Sequence, residues 1–122
     1  NGGLSTNLPV YNTLTIGSSL NVDLVGGFSS GTVNKLSNNR LFKFTGNGST
    51  VAVTAQTSGG SGNNRDVDLV VYKDGVLLGY RDSVYVGTET VSISTTSGSV
   101  YTIWMSDLNP ASDNYTVTMG VN

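Results

Sequence analysis

Eight Asp and Glu, six Lys and Arg, six Tyr and one Trp carry most of the chemistry open to this 122-residue chain, which contains neither His nor Cys. The usual general base, thiolate nucleophile and transition-metal ligands are therefore missing. Composition argues against catalysis, and no catalytic residue is assigned. Asp66 and Asp68 stand at alternate positions entering an apolar run, so on a strand they share one face. One reading has them accept backbone N–H bonds from the neighbouring Gly-rich loop or sit in solvent. The other has them ligate calcium, helped by Asn63, Asn64 or a loop carbonyl, which makes calcium the one cofactor to consider. Asp107 and Asp113 flank Leu108–Ser112 and are expected to cap turns, with calcium again the rival role. No spacing selects two carboxylates as a glycosidase pair.

The elements that would position these groups are strands. Gly, Ser, Thr and Asn supply 60 of the 122 residues and Ala only three, which disfavours helices and favours turns. Val, Leu, Ile and Phe make up 33 residues, enough for a core at a formal charge of −2. The six Lys and Arg are scattered and form no basic patch, so nucleic acid is not an expected partner. No apolar run approaches the length of a membrane helix. Alternating apolar and polar residues predict strands over 13–16, 20–25, 41–45, 50–55, 68–72, 76–80, 89–94, 100–105 and 115–121. Asp74-Gly75 predicts a type I′ hairpin between the fifth and sixth. Gly46-Asn47-Gly48 and Ser97-Gly98 mark two further turns. The fold expected is all-β: an antiparallel sandwich, jelly-roll-like, of eight or nine strands. Residues 1–12 read as a linker remnant or edge strand, and 13–122 as a single domain. A start at Asn1-Gly2-Gly3 reads as a piece of something larger, and the low-Lys, Cys-free composition as that of a secreted bacterial protein.

Five segments in order carry a resemblance. Leu41-Phe42-Lys43-Phe44-Thr45, Asp66-Val67-Asp68-Leu69, Glu89-Thr90-Val91-Ser92-Ile93, Ser97-Gly98-Ser99-Val100-Tyr101 and Asn114-Tyr115-Thr116-Val117 resemble motifs of the bacterial pre-peptidase C-terminal domain. The resemblance spans roughly residues 14 to 121. It implies a β-sandwich of eight or nine strands attached to a secreted peptidase or other exported enzyme, structurally related to the collagen-binding modules of clostridial collagenases. The paired-calcium linker of those modules has no counterpart here, because residues 1–22 contain no Asp or Glu.

Strand 100–105 is apolar on both faces. The family alignment sends Val100, Thr102 and Trp104 inward, which leaves Tyr101, Ile103 and Met105 as an outer docking surface for an insoluble, collagen-like protein, extended by Tyr80 and Tyr85. Aromatic and Met side chains suit that role because they bury large areas at low entropic cost. A loop such as Gly26–Asn39 covering the strand is the competing reading. The opposite register exposes Trp104 instead, a ring that could stack on a polysaccharide. The function expected is that of a non-catalytic accessory domain, linked in cis to a peptidase. A carbohydrate-binding module, and a structural, secretion-assisting or adhesin-stalk domain with no ligand, are the alternatives.

Overall fold

A computed structural model of the chain describes residues 11–24, 39–58, 67–83, 87–107 and 115–122. These form nine strands: β1 (Tyr11–Thr13), β2 (Ser18–Leu24), β3 (Asn39–Thr45), β4 (Thr50–Ser58), β5 (Val67–Lys73), β6 (Val76–Arg81), β7 (Thr88–Ser94), β8 (Val100–Asp107) and β9 (Tyr115–Val121). They build a five-stranded sheet in the order β1-β3-β8-β5-β6 and a four-stranded sheet in the order β2-β9-β4-β7. Every pairing is antiparallel except β1 with β3. The chain is thus the all-β sandwich that its alternating pattern predicts.

The inner faces supply the core. Val51, Val53 and Ala55 of β4, Val91 and Ile93 of β7 and Val117, Met119 and Val121 of β9 meet Phe42 and Phe44 of β3, Val67, Leu69 and Val71 of β5, and Tyr101, Ile103 and Met105 of β8. Strict alternation along β4 and β7 puts Thr, Ser and Gln on the outer face of the smaller sheet. Two polar residues lie on the inner face as well, Thr57 of β4 at 7% exposure and Glu89 of β7 at 2%. Arg81 Nε approaches Glu89 Oε2 at 3.4 Å, and the Ser83 N–H donates to Glu89 Oε1 at 3.2 Å.

Two turns have the form expected. In the β5–β6 hairpin Lys73 pairs with Val76, leaving Asp74 (φ 51°) and Gly75 (φ 77°) as the two turn residues. Both lie in the left-handed region that a type I′ turn demands. Between β3 and β4, Gly46 lies so close to its neighbours that an added Cβ would be 2.7 Å from the Thr96 carbonyl oxygen and 2.8 Å from the Tyr101 ring. The first expected strand, 13–16, differs from what is observed. Strand β1 ends at Thr13, Leu14 drops into the core, and the chain turns so that the Ser18 N–H reaches the Thr15 carbonyl at 3.0 Å.

The register of β8 corrects the expectation for Tyr101, Ile103 and Met105. All three are buried, at 1% exposure or less, whereas Val100 and Trp104 are 39% and 40% exposed. The cause is the strand's neighbours. Strand β8 lies between β3 and β5, and residues opposite one another share a face. Tyr101 faces Phe44, Ile103 faces Phe42 and Val71, and Met105 faces Leu69. Those partners pack in the core between the two sheets, so the odd-numbered residues of β8 go with them. Burial suits Tyr101: its ring stacks on Phe44 with centroids 5.1 Å apart, and its hydroxyl accepts the Thr96 N–H at 2.7 Å.

Candidate binding face

With 101, 103 and 105 turned inward, the even-numbered residues of β8 face outward at the centre of the larger sheet. Opposite Trp104 stand Leu41 on β3 and Val70 on β5, and opposite Val70 stands Tyr80 on β6. The row Leu41–Trp104–Val70–Tyr80 therefore crosses four adjacent strands at one level. Leu41 and Val70 are half-buried, while Trp104 is 40% and Tyr80 62% exposed. Below it runs Lys43–Thr102–Tyr72–Leu77, with Leu77 51% exposed. Above it run Asn39, Ser106 and Asp68.

The Trp104 ring is held. Its indole N–H donates to Asn39 Oδ1 at 2.7 Å. Asn39 is paired with Ser106, so it sits diagonally from Trp104 on the adjacent strand. An indole that reaches a diagonal neighbour leans across β3 instead of standing off the sheet, and its outer face is left toward water.

Of the expected site residues, this arrangement brings together Trp104 and Tyr80, two strands apart on one row. Tyr101, Ile103 and Met105 line the core and cannot touch a ligand. Tyr85 and Asp66 lie outside the described residues, as does most of the loop expected to cover β8. Asp68 is half-buried on β5 opposite Ser106, and among the described residues no group of three or more acidic side chains is placed to hold a metal ion. Leu41 and Val70 were not among the expected residues. Each leaves a trace in the sequence, because Leu41-Phe42 and Val70-Val71 are apolar neighbours that break the alternation. On β8, Trp104 between Ile103 and Met105 makes the same break.

No protein-family model matches the chain, and no curated protein matches it. Among solved structures it is similar to the pre-peptidase C-terminal domain of a collagenase from Bacillus anthracis, with a TM-score of 0.67 at 10% identity, over 96% of this chain and 100% of that one. It also matches PliG of Aeromonas hydrophila, a periplasmic inhibitor of g-type lysozyme, with a TM-score of 0.43 at 12% identity, over 92% of this chain and 97% of that one. The fold is thus that of a pre-peptidase C-terminal domain, as the five segments imply.

Proposed function

We propose that this pre-peptidase C-terminal fold serves as a non-catalytic accessory domain of an exported bacterial enzyme, a peptidase in the first instance, joined to it in the same chain and working outside the cell. It holds its parent on an insoluble substrate through the outer face of the five-stranded sheet. The observation that carries this reading is the row Leu41–Trp104–Val70–Tyr80, where a held indole at the sheet centre and an exposed phenol on the edge strand β6 line a face that ordinary alternation would make polar. Tyr and Trp in such a position are the residue types in which binding energy concentrates. The absence of His and Cys supports the non-catalytic part. Tethering does the rest: a weak contact raises the local concentration of the attached enzyme at the polymer surface.

A domain of this fold in a collagenase makes a collagen-like protein the first substrate to try, and the indole of Trp104 supports a polysaccharide as the second. The test is retention of the folded domain on insoluble collagen, elastin, casein, chitin, cellulose and peptidoglycan, with heat-denatured domain as control. Retention on at least one polymer, lost in the double variant Trp104→Ala/Tyr80→Ala, is the expected result. Retention on none would leave a purely structural or secretion-assisting domain.

A further inference from the structure

We infer that the ligand of this face is a single extended chain of a neutral, β-1,4-linked polysaccharide, lying across the strands with pyranose rings stacked on Trp104 and Tyr80. This rests on the anchoring role proposed above and adds the class of polymer.

Three features of the face lead there. The first is spacing. Trp104 and Tyr80 are on one row with one strand between them, so their attachment points are roughly 9–10 Å apart. The indole leans toward β3, away from Tyr80, so its ring lies beyond that separation: the two aromatic rings meet sugars two or more places apart along an extended β-1,4-linked pyranose chain, and Val70 lies beneath the chain between them. A pyranose with equatorial substituents has C–H bonds on its faces and hydroxyls at its rim. An aromatic row fits the first and a polar border fits the second, and Thr102 and Ser106 border the row at Trp104.

The second is charge. Among the described outward-facing residues of β3, β8, β5 and β6, the charged ones are Lys43 and Asp68, of opposite sign and on opposite sides of the row. These two charges together offer no net attraction to a polyanion such as an acidic glycan, nor to a strongly charged peptide.

The third is shape. Adjacent strands are rotated by about 20–25°, so the row turns by roughly twice that between β8 and β6. A crystalline polymer surface is flat and cannot follow it. One chain with free glycosidic torsions can. The Trp104–Asn39 hydrogen bond contributes by fixing the central ring before binding, which lowers the ordering cost of a weak contact.

The experiment titrates the folded domain with cellohexaose and chitohexaose, reading the fluorescence of its single Trp, and measures retention on amorphous and crystalline cellulose beside insoluble collagen. The expected result is a change in Trp emission that saturates with one of the hexasaccharides, reduced acrylamide quenching in the bound state, and stronger retention on amorphous than on crystalline polymer. Trp104→Ala should lower retention at least tenfold and Tyr80→Ala several-fold, with unchanged melting, while Thr90→Ala on the opposite sheet should have no effect. Asn39→Ala should weaken binding while leaving Trp104 exposed to the quencher. Retention on collagen with no response to either sugar overturns this inference and leaves the anchoring role standing. Preference for the crystalline form overturns the single-chain part, and absence of binding to any polymer overturns both proposals.

Discussion

Glu89 shows how one side chain can be read through its neighbours. A carboxylate at 2% exposure is costly to hold in a core, and its Arg81 partner, 59% exposed, is partly screened by water. The two ends of the pair are therefore not equivalent. Removing the guanidinium leaves a buried charge with less compensation, whereas Glu89→Gln removes the charge and keeps an acceptor for the Ser83 N–H. Arg81→Ala is expected to lower unfolding free energy by about 1–2 kcal/mol and Glu89→Gln by less than about 0.5 kcal/mol. In the double variant Glu89→Gln should recover most of the Arg81→Ala loss, which urea unfolding of the four proteins would measure. Equal losses in the two single variants would mean that the pair contributes through packing, not charge.

Elements differ in how much of them the sequence reveals. The β5–β6 hairpin is legible because Asp74-Gly75 encodes its turn locally. Asp tolerates φ 51° and Gly adopts φ 77° freely, so Gly75→Val, which puts a β-branched residue in that region, should cost about 1–3 kcal/mol by denaturant melting while Asp74→Asn changes little. The strands are legible for the same reason: period-2 alternation is a local property. The register of β8 is not. Val100 to Met105 is apolar on both faces, and only pairing with Phe42, Phe44, Leu69 and Val71 decides which face goes inward. The candidate face shares that origin, since Leu41, Trp104, Val70 and Tyr80 come from four separate strands and become a row only when the sheet assembles. Strand β6 shows what the sheet does with its own edge. Val76, Leu77 and Leu78 are each more than 40% exposed, but the pairing slips between Val71 and Tyr72, placing Leu77 and Gly79 opposite consecutive residues of β5. A bulge of this kind disrupts the regular edge that another strand would need for pairing.

For the whole molecule, the order of strands matters more than any one contact. Strand β9 lies inside the four-stranded sheet, between β2 and β4, and contributes Val117, Met119 and Val121 to the core. The Asn122 N–H and carbonyl both bond to Ala52, at 2.9 and 2.7 Å, and the Gly17 N–H reaches the Val121 carbonyl at 2.7 Å. A chain ending at residue 114 would lose three core side chains and leave β2 and β4 facing a gap, so it should show neither cooperative melting nor dispersed amide resonances. A folded product would mean that the larger sheet is stable alone. The same arrangement orders events in time. Pairing of Ser18 with Val121 closes almost the full length of the sequence, and long-range pairing of this kind forms slowly. Residues emerging one after another from a ribosome therefore have no finished four-stranded sheet to join until β9 arrives, although every strand of the larger sheet precedes it. Up to that moment Phe42, Leu69 and Ile103 on the larger sheet have an incomplete layer opposite them, so the newborn chain carries its greasiest surface uncovered until its final stretch closes over it like a lid on a box.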